Sequence, residues 1–138
     1  MIYTSYFANV KKLPDNIIPI AICIRPPEGY RGLWYPRLAP DYEILKRWRR
    51  DHDEKDYIKL FKRSVLDNQS VYNVLWDIER MLPARVRQGL QSSIETSPDW
   101  HVALICYEKS EDFCHRHLVA DWFKRNGIEC DEWENKGG

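Results

Sequence analysis

Central to the fold is the run His101-Val102-Ala103-Leu104-Ile105-Cys106-Tyr107, which is almost continuously apolar over the length of one strand. A second run, Ile17-Ile18-Pro19-Ile20-Ala21-Ile22-Cys23-Ile24, has the same character. Strands that are apolar on both faces are typical of the buried interior of a parallel sheet. Pro19 has no amide hydrogen to donate, so it favours the start of its strand or an edge. The two runs therefore predict two central strands of a parallel sheet.

Two further segments predict strands at the ends of the chain. Ile2 to Phe7 is rich in β-branched and aromatic residues. Ile128 to Trp133 alternates apolar and acidic residues, which is typical of an outer strand with one solvated face. The stretch from Arg25 to Pro40, which follows the second apolar run, contains several prolines and two glycines. That stretch is predicted to be a long loop without regular structure, and loops of this length are often functional.

Apolar residues three and four positions apart predict four helices. Two follow Asp41 and are divided near His52-Asp53. Another begins after Ser70, which is a candidate N-cap. The last lies between Cys114 and Asn126, with Gly127 placed where a C-cap glycine is expected.

The order of these elements predicts one α/β domain over residues 1–138. We expect a small three-layer sandwich, with a mostly parallel sheet of about four strands flanked by helices. The polar stretch from Ala84 to Asp99 is the least predictable part, and a short helix within it is one possibility.

The chain has 138 residues, of which 21 are basic and 21 acidic, so it lacks the basic excess that usually accompanies non-specific nucleic-acid binding. The basic and acidic residues are nevertheless unevenly distributed along the chain. Residues 25–50 hold seven basic and three acidic residues, whereas residues 108–138 hold eight acidic and five basic ones. The neutral total therefore argues only against non-specific binding.

We expect a cytoplasmic protein, because no stretch reaches the roughly 20 apolar residues of a membrane span and the start does not resemble a secretory signal. Membrane association is not expected. A chain of this size needs no bridges to fold, so the cysteines are predicted to be reduced thiols. The four are Cys23, Cys106, Cys114 and Cys130. The alternative is two disulfide bridges, which an even count permits.

The segment from Cys106 to His117 is the strongest candidate for a site, because it joins the end of a buried strand to the start of a helix. Cys114 at the first turn of that helix is a candidate thiolate nucleophile. Glu108 and His115 are candidate catalytic partners, and Arg116 is a candidate anion-binding residue. The alternative is structural: a small buried cysteine, a packing histidine, and an arginine paired with a nearby glutamate.

No metal or other cofactor is expected. Cys114 and His117 are three positions apart on one helix, with Cys106 and His101 on the preceding strand, but no second closely spaced ligand pair accompanies them. No phosphatase loop, Walker loop, dinucleotide fingerprint or nucleophile elbow is found either.

The predicted loop from Arg25 to Pro40 combines cationic and aromatic side chains, which together grip phosphates and stack bases. It also spells G-x-x-G at Gly29 to Gly32, but without the flanking helices of the RNA-binding fold that uses this motif. The basic run from Lys46 to Arg50 is interpreted as a solvated helix face. The candidate ligand-binding residues of the loop are Arg25, Tyr30, Trp34 and Tyr35.

Several segments together resemble the domain-of-unknown-function 488 family over nearly the whole chain. They are Tyr3-Thr4-Ser5-Tyr6-Phe7-Ala8, Ile22-Cys23-Ile24-Arg25-Pro26-Pro27, Tyr35-x-x-Leu38-Ala39-Pro40, and Cys106-Tyr107-Glu108 followed by Cys114-His115-Arg116. The last of these is the most specific. The resemblance implies a small α/β domain with a shared polar site but no established reaction. It assigns to that site Ser5, Arg25, Tyr35, Glu108, Cys114, His115 and Arg116. The longer segment from Ala84 to Asp99 departs from short members of the family.

The leading hypothesis is a site at the carboxyl ends of the strands that binds an anionic, phosphate-bearing ligand, such as a nucleotide or a nucleic-acid end. Arg25 and Arg116 would hold the anion, and Tyr30 and Trp34 would line the entrance. One alternative is an enzyme that uses Cys114 as its nucleophile. Another is a non-enzymatic module that binds a protein partner.

Overall fold

The computed structural model describes residues 1–83, 101–108 and 113–135. The polar segment from Ala84 to Asp99, and any helix within it, lies outside these residues. Five strands are present in the described chain, and each pairs in parallel with its neighbours in the order β3-β2-β4-β1-β5. They are β1 (Ile2–Tyr6), β2 (Ile17–Ala21), β3 (Leu33–Trp34), β4 (His101–Cys106) and β5 (Cys130–Glu132).

The prediction of an α/β fold with a mostly parallel sheet flanked by helices is confirmed. The described sheet has five strands rather than four, because two residues of the predicted loop form β3 and pair with Ile20 and Ala21 of β2. β4 occupies the centre of the sheet, as its apolar sequence predicts, and all its residues after His101 are buried. β1 pairs with it along its whole length, from Ile2 opposite Val102 to Tyr6 opposite Cys106.

Four α-helices are described: α1 (Tyr42–Asp51), α2 (Glu54–Phe61), α3 (Val71–Met81) and α4 (His115–Arg125). A π-helical turn, Lys62–Leu66, continues α2, and short 3₁₀ segments occupy Phe7–Lys12 and Pro36–Leu38. The division between α1 and α2 falls where it was predicted. His52 adopts the left-handed conformation (φ 49°) and ends α1, and Asp53 accepts a hydrogen bond from the Asp56 amide to begin α2.

Two apolar clusters lie on opposite faces of the sheet because successive residues of a strand point to opposite sides. On one face, Ile20, Val102 and Leu104 pack beneath apolar residues of all four helices. On the other face, Ile17, Ala103 and Ile105 are covered by the 3₁₀ segment Phe7–Lys12 and by Trp133. The sheet is therefore the middle of three layers, as predicted. None of the described helices is long and apolar enough to cross a bilayer.

Candidate functional site

A cleft of about 830 Å³ opens at the carboxyl ends of β2 and β4. Its walls come from the residues after those two strands, from one side of α1, and from the first residues of α4. Open parallel sheets usually bind their ligands at this edge. The predicted position of the site therefore coincides with a real concavity. The polar and charged residues that line it are Cys23, Arg25, Glu28, Arg49, Cys106, Glu108, Cys114 and His115, and the aromatic ones are Tyr42, Trp48, Tyr57, Tyr107 and Phe113.

Cys106 and Cys114 are joined by a disulfide at the base of this cleft. The prediction that all the cysteines are reduced is therefore wrong for this pair. The cause is the chain path: β4 ends at Cys106, and the chain returns eight residues later to place Cys114, the N-cap of α4, against the same strand end. Cys23 and Cys130 are free and buried. Burial raises the pKa of the Cys23 thiol to about 11 and that of Cys130 to about 12.

His115 is buried and held in one orientation. Its Nε2 lies 2.5 Å from the Ile22 carbonyl oxygen, just after β2, and because a carbonyl only accepts hydrogen bonds, Nε2 carries the proton. Burial lowers the pKa of His115 to about 4, so the ring is neutral and Nδ1 has a free lone pair. Nδ1 lies 3.8 Å from the Cys114 sulfur. The histidine can therefore accept a proton or donate an electron pair beside Cys114.

Arg116 is fully buried and does not line the cleft. Its Nε and Nη2 donate to the two carboxylate oxygens of Glu132 on β5, at 3.1 and 2.9 Å. Its Nη1 donates to the Glu108 carbonyl oxygen at 2.5 Å and to the Cys106 sulfur at 3.1 Å. All three nitrogens of the guanidinium therefore donate hydrogen bonds within the protein. The structure places it beneath the site and not against a ligand.

Glu132 is the ion-pair partner of Arg116, and the sequence analysis did not identify it. The sequence analysis treated Ile128 to Trp133 as an outer strand with one solvated face and gave Glu132 no role. Its side chain is only 19% exposed. It also accepts a 2.6 Å hydrogen bond from the Thr4 hydroxyl on β1. The signal available in the sequence was an acidic residue in a short edge strand. The sequence alone could not identify its partner, because that depends on the order of the strands in the sheet.

Among the described residues, two arginines and two glutamates supply the charges of the cleft. Arg25 and Glu28 follow β2, Glu108 follows β4, and Arg49 comes from α1. Arg25 is exposed, and its backbone carbonyl accepts a 2.6 Å hydrogen bond from the Tyr107 hydroxyl. Within the part of the chain that the structure describes, neither guanidinium pairs with a carboxylate. Both are therefore available to an anion.

Arg49 was not predicted as a site residue, because it belongs to the basic run Lys46 to Arg50 that was interpreted as a solvated helix face. Its neighbours in that run do behave in this way: Arg47 pairs with Asp56 on α2, and Arg50 pairs with the adjacent Asp51. Helical spacing instead puts Arg49 on the same side of α1 as Tyr42 and Leu45, which both line the cleft. That spacing was the signal that could have identified it.

Besides Arg116, four of the predicted residues are not brought to the cleft. Ser5 pairs with Ile105, so its side chain lies on the face of the sheet opposite to that of Cys106. Tyr35 is buried and donates a 2.7 Å hydrogen bond to Asp77. Tyr30 and Trp34 instead form hydrogen bonds near the edge strand β3. The Tyr30 hydroxyl donates to the Leu33 carbonyl at 2.6 Å, and the Trp34 indole donates to the Cys23 carbonyl at 2.9 Å.

The aromatic wall of the cleft comes from α1, from α2 and from the residues beside β4 and α4. It does not come from the loop that was expected to supply it. Trp48 of α1 packs against Phe113 with ring centroids 4.8 Å apart, and Tyr57 of α2 meets the same ring edge-on at 5.1 Å. Trp48 is half-buried and packs against the core as well as lining the cleft.

Three side chains at the base of the cleft have the chemistry of metal ligands. The sulfurs of Cys106 and Cys114 and one ring nitrogen of His115 all lie within 4.8 Å of one another, and all three residues are buried. His117, which the sequence analysis weighed with Cys114, is not in this group. This group differs from the set of residues weighed in the sequence analysis, which expected no metal, because it contains the histidine adjacent to Cys114 and not the one a turn later.

Comparison with known proteins identifies a family but no closer relative. The model of the family DUF488-N3a, described as the active DUF488-N3 subclade, matches residues 2–127. Neither a curated protein nor a solved structure matches the chain significantly. The resemblance drawn from the Cys-x-Glu and Cys-His-Arg motifs is confirmed by this match. The chain belongs to the DUF488 family.

Proposed function

We propose that the cleft binds an anionic, phosphate-bearing ligand of the nucleotide type, either free or as a nucleic-acid end. The observation that carries the proposal is the combination of Arg25 and Arg49, which pair with no carboxylate of the described residues, with an aromatic wall at the carboxyl edge of a parallel sheet. A cytoplasmic location belongs to the same proposal.

The aromatic wall suits a flat base. Tyr42 is 63% exposed on α1, and Trp48 and Tyr57 continue the same surface inward. Stacking of a base on an aromatic side chain contributes about 1–3 kcal/mol per base. A ligand that offers a planar ring therefore gains affinity here that a simple phosphate ion does not.

The charges suit a ligand that carries both acceptors and donors. Arg25 and Arg49 match phosphate oxygens, with which guanidinium groups form paired hydrogen bonds. Glu28 and Glu108 would repel a bare phosphate, but they accept hydrogen bonds from ribose hydroxyls or from the amino group of a base. A nucleotide satisfies both sets at once, which favours it over an inorganic anion or a plain carboxylic acid.

Arg116 takes a different role in this proposal from the one first expected. Because Glu132, Glu108 and Cys106 occupy its donors, we assign it as a positioning residue that fixes the base of the cleft. The thiol-dependent reaction considered as an alternative requires a free Cys114, which the disulfide withholds. Binding is therefore the function that this form of the chain supports best.

The test is calorimetric titration at low salt with adenosine, its mono- and diphosphate, inorganic phosphate and short single strands. We expect saturable binding that needs both the base and the phosphate. Arg25→Ala and Arg49→Ala should each weaken it about tenfold or more, since hydrogen bonds to charged groups contribute about 1.5–3 kcal/mol.

Arg50→Ala is the matched control for Arg49→Ala, because it removes an arginine of the same helix that pairs with Asp51 and does not line the cleft. It should leave the affinity unchanged. Absence of saturable binding by every nucleotide and strand, or equal losses for Arg49→Ala and Arg50→Ala, would refute the proposal.

A further inference from the structure

We propose that Cys106, Cys114 and His115 form a binding site for a thiolate-preferring divalent metal such as zinc, which the disulfide closes and its reduction opens. The site is independent of the proposed nucleotide ligand, since none of its three residues supplies the charges or the stacking surface argued above. Cysteine and histidine are the side chains that zinc prefers.

The distances suit a single metal ion once the disulfide is opened. The Cys114 sulfur lies 3.8 Å from His115 Nδ1, and all three ligand atoms lie within 4.8 Å of one another. Zinc–sulfur and zinc–nitrogen bonds in a tetrahedral site separate those two ligand atoms by about 3.6 Å. Cys114 and His115 therefore stand almost at ligand spacing, and only the Cys106 sulfur has to withdraw from its partner.

The surroundings orient these ligands as a metal site requires. His115 donates from Nε2 to the Ile22 carbonyl, which leaves Nδ1 as the ligating atom. Metal-binding histidines nearly always use the second nitrogen in this way. Arg116 donates to the Cys106 sulfur at 3.1 Å, and a positive donor at that atom stabilises a thiolate. Both contacts are within the protein and form without a metal.

Three protein ligands leave one coordination position for water or a bound molecule, which is the pattern of catalytic rather than structural zinc. All three residues line the cleft, so the molecule in the cleft can reach that position. Cys23 also lines the cleft but is not in the cluster. It therefore provides a matched control of the same residue type.

The opening step is a thiol–disulfide exchange with a dithiol reductant. The Cys106–Cys114 bond breaks and each sulfur gains a proton, while the reductant loses two electrons and two protons and becomes its own disulfide. Zinc then displaces the two thiol protons and forms two bonds to sulfur and one to His115 Nδ1. A disulfide in a cytoplasmic protein is usually transient or redox-sensing, in agreement with such a cycle.

The experiment compares oxidised and reduced full-length chain without oxygen, with cobalt(II) as a spectroscopic probe and zinc as a competitor. We expect the chain reduced by a dithiol, which is then removed, to bind one cobalt ion with the charge-transfer and d–d absorption of a tetrahedral thiolate site. Zinc should abolish that spectrum. The oxidised chain should bind none.

Cys106→Ser, Cys114→Ser and His115→Ala should each weaken cobalt binding by more than the roughly 10–100-fold that follows loss of a group orienting a ligand. Cys23→Ser should bind as the wild type does. Circular dichroism identifies any variant that fails to fold. In that case Arg116→Lys provides a second test, because it retains the charge but alters the contact with the Cys106 sulfur, and it should weaken cobalt binding about tenfold.

The proposal is overturned if the reduced, folded chain takes up no cobalt, or if Cys23→Ser abolishes binding while Cys106→Ser does not. It is also overturned if cobalt binds equally to the oxidised chain. These results leave the nucleotide titration untouched, because that titration is carried out on the oxidised protein without metal.

Discussion

Replacing Glu132 with glutamine tests the buried ion pair beneath the cleft. The change leaves the shape of the side chain nearly intact but removes the charge opposite Arg116, whose side chain is fully buried. Leaving one member of a buried pair without its partner costs about 3–5 kcal/mol. Because the Glu132 side chain is 19% exposed, water moderates the loss, and we expect a value near the lower end, about 3 kcal/mol.

The assay is urea unfolding followed by circular dichroism, with thermal unfolding as a second measurement. A loss of about 3 kcal/mol corresponds to a fall of about 10 °C in the midpoint for a chain of this length. Glu134→Gln makes the same chemical change at an exposed position nearby, and it should stay within about 0.5 kcal/mol of the wild type.

A double variant separates the value of the pair from the cost of isolating one charge. Arg116→Met combined with Glu132→Leu removes both charges, and we expect it to lose less than the sum of the two single changes. A loss below about 1 kcal/mol for Glu132→Gln, or strict additivity in the double variant, would show that the pair does not stabilise the base of the cleft as argued.

Three further predictions concern other parts of the structure. Burial raises the pKa of Cys130 from 9.0 to about 12, so the folded state holds that proton more tightly, and stability should fall as pH rises from 9 towards 12, less so in Cys130→Val. Tyr35→Phe should cost about 1 kcal/mol in urea unfolding because Asp77 loses its donor, and an unchanged midpoint would contradict this. Gly32→Ala should cost about 1–3 kcal/mol in the same assay, since its Cβ would overlap the Tyr30 hydroxyl, and tolerance would show that Tyr30 moves freely.

The central strands could be predicted because their sequence signal is local. The apolar runs of β2 and β4 are buried on both faces, and no other element of that length has this pattern. β3 could not be predicted in the same way, since its two residues are extended only because they pair with Ile20 and Ala21. Pro19 was expected at the start of its strand or at an edge. It is the third of the five residues of β2, and β2 pairs with β3 only at the two positions after it.

The helix boundaries show the same division between local and non-local causes. The change from α1 to α2 is marked by His52 and Asp53, whose backbone and side chain act within their own turn. The π-helical turn from Lys62 to Leu66 was not predicted, because an apolar spacing of three and four residues does not distinguish it from an α-helix. Its wider hydrogen bond runs from the Asp67 amide to the Lys62 carbonyl.

The position of the cleft followed from strand order, but the direction of each side chain did not. Cys114 and His115 face the cleft, whereas Arg116 turns beneath it, because successive residues of a helix point about 100° apart. The choice of which residue faces inward depends on Glu132, which is 16 positions away on another strand. The sequence motif therefore identifies Cys114, His115 and Arg116, but it does not reveal the contact between Arg116 and Glu132 that orients them.

The first turn of α4 connects three different strands of the sheet, and this explains why three adjacent polar residues occur there. Cys114 is bonded to the end of β4, His115 to the carbonyl that follows β2, and Arg116 to Glu132 on β5. Each contact uses a different side-chain chemistry, so none can replace another. The helix terminus is thereby fixed across the carboxyl edge of the sheet, where the cleft opens. Loss of any one contact should therefore shift the helix terminus and change the shape of the cleft. This holds also for Arg116, which does not line the cleft but lies beneath it.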